Sequence, residues 1–234
     1  MIEFDETALK ILSPEQQSLK PLLEEFMSTH FLVGGTAIAL QIGHRKSIDF
    51  DLFTLSPQGS GKQLSERIER AGCVLEEGSD IRYLSDEEEP EATLKIHGVK
   101  VQLMNFNRNP FGVNIKIPHS VVICGGIYTP TLLDLAALKA YAMMYRKKWK
   151  DAVDLYFLLQ EEGIDFARVL DRTKELFGIL YQEIATLDTI LDDTWDMTEA
   201  VEYIVENPPS DEKIREELIV EAREYLGRGK NDSY

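Results

Sequence analysis

The spacing of apolar residues changes several times along the chain, and each change marks a new element. Leu19, Leu22, Leu23 and Phe26 recur every three to four residues, which predicts an amphipathic helix over 14–30. Phe31-Leu32-Val33 is a short unbroken apolar run, read as a buried strand that stops at Gly34-Gly35. Thr36 to Ile42 returns to helical spacing with Gly43 as its stop signal, and Ser47 to Phe53 reads as a second strand. A loop at 57–61, a helix over 62–71 closed by Gly72, and strands at 73–75 and 81–84 follow, before Pro90 breaks an acidic turn. The clearest hairpin joins 93–96 to 99–106 through His97-Gly98. Residues 107–118 carry no period, and Val121-Val122-Ile123 is a last short strand.

After Pro130 the spacing is helical. Thr131 suits the N-cap of a helix over 132–145, and a second helix covers 151–159. Three or four further helical stretches between 166 and 228 are broken near Gly178, at 192–195 and at 207–210. The pattern therefore predicts an α+β fold: a small mixed-sheet core over 1–130, then a helical region over 131–234.

Composition bounds this reading. A length of 234 residues with 44% hydrophobic positions is enough for a core and an appended bundle, so disorder is not expected. No apolar run approaches the roughly 18 residues that a membrane helix needs, and Met1 to Glu6 is acidic rather than signal-like, so a cytoplasmic chain with no membrane partner is expected. Cys73 and Cys124 have neither metal-ligand spacing nor basic neighbours and read as small buried apolar residues. The net charge of −16 matters more. A protein that grips nucleic acid over a broad face carries a basic surplus, so an RNA acceptor here would have to meet a local basic patch.

The candidate chemistry begins at Gly34-Gly35-Thr36. Glycines let a backbone approach phosphate closely, and the unpaired N–H groups of a helix N-terminus favour its charge. Twelve residues after Thr36 comes Asp49-Phe50-Asp51 inside an apolar run. Two residues apart on a strand, both carboxylates share a face and can hold divalent metal. The two halves together read as a nucleotide triphosphate site. Farther on, Lys139, Arg146 and Lys150 would fall within about 40° of one another on a continuous helix. That stripe is either phosphate-facing or a solvated, snorkelling face, and a chain break near 146–149 would leave a cluster without the face. Gly59-Ser60-Gly61-Lys62 lacks the glycine at 56 and the hydroxyl at 63 that a phosphate-binding P-loop needs.

Gly35-Thr36 followed by Asp49-Phe50-Asp51 resembles the first motif of the DNA polymerase β-like nucleotidyltransferases. The longer string from Gly34 through His44-Arg45-Lys46-Ser47 to Asp51 is similar to a narrower group, the AbiEii/AbiGii-type nucleotidyltransferases. A second block agrees: Thr131 to Lys139, then Arg146, Lys150-Asp151 and Asp154-Leu155. The two blocks span about half the chain, in the group's order.

The resemblance implies a nucleotidyltransferase that moves an NMP from an NTP to an acceptor hydroxyl, with two Mg²⁺ (or Mn²⁺) ions on Asp49 and Asp51. It implies that Gly34, Gly35 and Thr36 hold the distal phosphates and that Arg45 and Ser47 reach phosphate or base. Lys139 would neutralise developing charge, with Arg146 and Lys150 completing the nucleotide-binding set. Asp151 and Asp154 would orient these cations or act as a base or metal partner. The helical region would thus contribute to the site. Partners implied are the NTP, an acceptor such as the tRNA 3′ end, and a cognate antitoxin. The superfamily usually adds a third carboxylate from a neighbouring strand, yet Val99 to Met104 offers none, and Gln102 stands where it is expected. Asp151 or Asp154 replaces it, the acceptor is activated otherwise, or the protein is a nucleotide-binding regulator with little turnover. Nucleotidyl transfer to a small molecule or a protein is a further alternative.

Overall fold

The computed structural model describes residues 1–54, 61–82, 91–105, 115–116, 118–192 and 194–228, and the readings made at 57–60, 83–90 and 106–114 lie outside them. Two compact units divide the chain, Met1–Thr131 and Leu132–Tyr234. The first is built on a sheet and the second on helices alone.

Three short helices open the first unit: α1 (Glu6–Ile11), α2 (Pro14–Ser18) and α3 (Lys20–Phe26). Asp5 caps α1 by accepting the Ala8 N–H at 2.8 Å. Ser13 and Gln16 form a reciprocal capping box on α2. The single helix expected over 14–30 is therefore two. Leu19 leaves helical geometry at φ −84° and ψ 8°, and Pro21 takes up the first turn of α3, where its missing N–H is harmless.

The strands are β1 (His30–Val33), β2 (Phe50–Thr54), β3 (Asp80–Arg82), β4 (Glu91–Ile96) and β5 (Val99–Asn105), in the order β1-β2-β5-β4-β3. β2 and β5 are parallel and the other pairs antiparallel. α4 (Gly34–Ile42) packs on β1 and β2, and α5 (Gly61–Arg70) on α3. Leu32, Phe50, Leu52, Leu94, Val101 and Leu103 alternate onto the buried face, each contributing roughly 1.5–3 kcal/mol. Asp51, Thr93, Lys100 and Gln102 alternate onto the opposite, partly exposed face. Residues 73–75 are not a strand, and Val74 is 76% exposed. A separate hairpin, β6 (Ser120–Ile123) and β7 (Ile127–Pro130), turns through Gly125 and lies against β1. Gln41 of α4 holds it by donating to the Pro130 carbonyl at 3.1 Å.

His30 carries a pH prediction. Its ring stands edge-on to Phe26 at 5.2 Å. Burial first, and the Arg67 charge second, push its pKa down to about 3. A histidine held neutral in the fold contributes stability above its unfolded value near 6.5 and loses it as pH falls toward 3. Between pH 7 and 4.5 wild type is expected to lose about 2–3 kcal/mol more than His30→Gln, measured by denaturant melts at both pH values. Parallel losses in the two proteins would refute the assignment.

In the second unit, α6 (Leu132–Met143) contacts α7 (Trp149–Leu158), α8 (Phe166–Phe177) and α9 (Glu183–Leu191), and α10 (Asp211–Arg228) contacts α7, α8 and α9. Leu135, Ala136, Ala137, Ala140 and Met143 are buried along α6. The hydroxyls of Thr186 and Thr189 donate to its Ala140 and Met143 carbonyls at 2.8 Å each. Asp134, fully buried, is gripped by two nitrogens of Arg172 at 2.5 and 3.1 Å.

Candidate functional site

β1 runs into α4 without a loop, and this junction builds the site of the first unit. Val33 lies opposite Asp51, so the next residue, Gly34, sits beside the Asp51 side chain. Gly34 has φ +73°, and a Cβ built there would overlap the Asp51 carboxylate. Only glycine satisfies both conditions. A Cβ on Gly35 would stand 2.5 Å from Arg45 Nη2 and 3.0 Å from Ser47 Oγ. The fold therefore brings Gly34, Gly35, Arg45, Ser47 and Asp51 together, as the motif spacing anticipates. The N-cap of α4, Val33, supplies no side-chain acceptor to the first-turn N–H groups.

Two members play parts that differ from their sequence reading. Thr36 is 1% exposed, and its hydroxyl donates to the Asp49 carbonyl at 2.5 Å. The hydroxyl anchors the segment carrying Asp49 rather than reaching out for phosphate. Arg45 is 3% exposed, and its Nη1 donates to the Lys46 carbonyl at 2.8 Å, so it braces the turn from within. β2 also starts one residue after Asp49 rather than at Ser47.

Asp51 pairs across the parallel ladder with Gln102, which therefore occupies the neighbouring-strand position expected of a third carboxylate. No motif singles out Lys100, yet period-2 alternation places it on the Gln102 face, and its Nζ lies 2.8 Å from Asp49 Oδ2. Both partners are well exposed, 44% and 33%, so this pair is worth at most about 1 kcal/mol and is easily displaced. Two carboxylates suit a hard cation such as Mg²⁺, which characteristically takes one or two protein carboxylates and completes its shell with phosphate oxygens and water. Among the described residues no group of three or more His, Cys, Asp or Glu forms a closed metal cage. The donor set fits a metal shared with substrate.

The second block of predicted residues gathers within the second unit. Lys139 Nζ contacts Asp151 Oδ1 at 2.8 Å and Asp154 Oδ2 at 2.6 Å, with side-chain exposures of 8%, 2% and 0%. Arg146 closes on Asp151 through Nε at 2.7 Å and Nη2 at 3.1 Å. Burial works to raise the Asp151 carboxyl, but Lys139 and Arg146 overcome it and hold the group below its ordinary value. Lys139 does not snorkel: it is buried in an ion network that balances its own charge. The stripe of Lys139, Arg146 and Lys150 is not formed either, because α6 ends at Met143 and α7 begins at Trp149. The basic cluster faces carboxylates instead, Lys147 with Asp192, Lys148 with Asp196 at 2.5 Å, and Lys150 with Glu199 at 2.9 Å.

Neither cysteine is poised for chemistry. Burial, aided by Asp5, pushes the Cys124 thiol up to about 11, and burial raises Cys73.

A glycine test separates strain from site geometry. Gly34→Ala and Gly43→Ala both place an L-residue in the left-handed region, at φ +73° and +66°, for about 1–2 kcal/mol. A Cβ at Gly43 meets nothing closer than Thr7 Cγ2 at 3.8 Å. Both variants are expected to melt earlier, while only Gly34→Ala loses nucleotide binding, read by calorimetry. Equal loss in both would show that strain, not the Asp51 contact, governs the site.

Comparison with known proteins bears on the family and the fold. Residues 19–224 match the family described as "Nucleotidyl transferase AbiEii toxin, Type IV TA system". The chain is 26% identical over 222 residues to the uncharacterized protein aq_aa25 of Aquifex aeolicus, covering 93% of this chain and 98% of that one. Its fold is similar to that of JHP933 from Helicobacter pylori (TM-score 0.52, 18% identity, 99% of this chain and 97% of that one). It is also similar to MenT4, the nucleotidyltransferase toxin Rv2826c of Mycobacterium tuberculosis (TM-score 0.50, 11% identity, 90% and 86%). A family match over most of the length, together with a glycine turn seated on the second carboxylate of an Asp-x-Asp strand, identifies the chain as a member of the AbiEii nucleotidyl transferase toxin family.

Proposed function

We propose that this protein transfers a nucleoside monophosphate from an NTP to an acceptor hydroxyl, which loses its proton as it attacks the α-phosphate and releases pyrophosphate, with Asp49 and Asp51 as the carboxylates that share divalent metal with the substrate. The contact between Gly34 and the Asp51 carboxylate carries this reading, because it fixes a phosphate-accepting turn beside a metal-accepting pair. The first-turn N–H groups of α4 receive the distal phosphates. Thr36 holds the Asp49 segment in register with that turn. Lys100, paired with Asp49 at rest, is placed to follow the negative charge of an arriving substrate. When bound, Mg²⁺ or Mn²⁺ supplies Lewis-acid stabilisation of the reacting phosphate. Lys139, Asp151 and Asp154 enter as the second block of the family pattern, and Arg146 as the cation that helps hold Asp151 ionised.

The need for NTP favours a cytoplasmic setting. None of the described helices is long and apolar enough to cross a membrane. The family supports a toxin role restrained by a cognate antitoxin. A tRNA 3′ end is the acceptor favoured here, although a chain of net charge −16 can grip only a few of its phosphates. Gln102 opposite Asp51 favours a second reading, a nucleotide-binding regulator with little turnover.

The deciding experiment incubates the protein with each α-labelled NTP, Mg²⁺ and a fractionated cell extract. Label in RNA supports the proposal as stated. Label in protein or in small molecules keeps the chemistry and replaces the acceptor. NTP binding without label transfer would establish the regulator instead.

A further inference from the structure

The basic run from Arg146 to Lys150 is matched by carboxylates, so the local basic patch that an RNA acceptor needs lies elsewhere. The partly exposed face of the sheet carries one. Lys95 of β4 and Lys100 of β5 stand directly opposite each other in the antiparallel register. Leu94, Ile96 and Val101 are fully buried on the other face, so alternation turns both lysines outward with Asp51, Thr93 and Gln102. Facing side chains start about 4.5–5.5 Å apart, and two like charges at that spacing destabilise the hairpin. A fold that keeps such a pair on its surface is holding cations together for something negative.

The surroundings preserve this charge. Among the described residues no carboxylate forms an ion pair with Lys95. Glu76, whose backbone N–H donates to the Lys95 carbonyl at 2.8 Å, accepts the Gly98 N–H on its carboxylate at 2.9 Å instead. Farther along the face, Asp80 and Glu91 flank Arg82, and Asp80 lies 3.1 Å from its guanidinium. Gln102, two residues from Lys100 on the same face, is a neutral amide where a carboxylate would cancel the pair. Lys100 also reaches Asp49 at 2.8 Å, so the lysines are continuous with the candidate carboxylates. At ordinary strand spacing they lie one and two strands from β2, roughly 5 and 10 Å. A polynucleotide whose terminal hydroxyl stands at Asp49 and Asp51 thus brings its adjoining phosphodiesters over the two ammonium groups.

We propose that Lys95 and Lys100 seat the phosphodiester backbone of an RNA acceptor beside the carboxylates. The proposal deepens the acceptor half of the proposed function and rests on that reading. Lysines are compact point charges without planar recognition geometry, so the seat positions the strand and reads no base.

The test uses the full chain and a fluorescein-labelled single-stranded RNA of about twelve nucleotides, without NTP or metal. Anisotropy is read from about 50 to 200 mM salt, and wild type is expected to bind with a Kd of about 1–100 µM. Lys95→Gln should weaken binding about threefold to tenfold and lower the slope of log K against log salt by about 0.7, one single-strand phosphate contact. Adding Lys100→Gln should lower the slope by about 1.4 in all. Because the change also relieves the facing charges, Lys95→Gln should melt about 1–3 °C higher than wild type. Its binding of inorganic tripolyphosphate with Mg²⁺ should be unchanged. Lys148→Gln, whose ammonium already faces Asp196, should bind RNA as wild type does. The proposal is overturned by absence of RNA binding in wild type, by full binding in Lys95→Gln, or by an equal loss in Lys148→Gln. It is overturned equally if tripolyphosphate binding falls instead, or if weaker RNA binding comes with a lower melting temperature, which would make Lys95 structural. No turnover is read, so failure of nucleotidyl transfer and failure of this seat are separate results.

Discussion

Lys139→Ala is expected to destabilise the protein by about 3–5 kcal/mol at neutral pH, although the residue is a lysine in a charged, surface-rich chain. Its ammonium sits between Asp151 and Asp154, whose side chains are 2% and 0% exposed. Removing it strips both buried carboxylates of a shared counter-charge, while Arg146 still faces Asp151. The effect has a definite pH dependence. Asp151 is held below its ordinary value, so the stability that it contributes is present above the unfolded carboxylate value and lost as pH falls through the lower folded value. The gap between wild type and variant should therefore be widest near neutrality and shrink in acid. Adding Asp154→Asn to Lys139→Ala should recover part of the loss, because it deletes one of the stranded charges. Denaturant melts of the three proteins measure this directly, and a loss under about 1 kcal/mol would show that the ammonium is solvated after all.

The double variant Asp49→Asn, Asp51→Asn should lose label transfer by at least about a thousandfold, the equivalent of roughly 4 kcal/mol of transition-state stabilisation. Its fold should survive. Both side chains are partly exposed, and the ion pair with Lys100 that the change removes lies at the surface. The asparagines keep the shape beside Gly34, remove the charge and turn one acceptor oxygen into a donor. Thermal melting within a few degrees of wild type, alongside absent transfer, is the expected combination. Normal turnover would remove the carboxylates from the chemistry.

The core of the candidate site was legible because its constraints are local. A glycine pair, a hydroxyl and two aspartates at fixed spacing fall on one strand–helix–strand unit, where sequence distance maps onto spatial distance. What stayed hidden depends on partners far along the chain. Lys139 reads as a phosphate-facing or snorkelling cation until α7 brings Asp151 and Asp154 to it. The run from Arg146 to Lys150 reads as a basic face until carboxylates between 192 and 199 are paired with it. Lys100 was invisible for a different reason: one lysine on an alternating strand means nothing until the strand order puts β5 beside β2. Among the elements, α1 has only six residues, too few to show a period, and β7 ends in Pro130, which reads as a break. Pro21 was the available signal that 14–30 is not one helix.

The bond from Thr36 to the Asp49 carbonyl and the seat of Asp51 against Gly34 have a joint effect on control. They join the first turn of α4 to both carboxylates, so the phosphate and metal contacts proposed above would move together. On the proposed mechanism, a partner that gripped the start of this nine-residue helix would switch off both without covering the carboxylates.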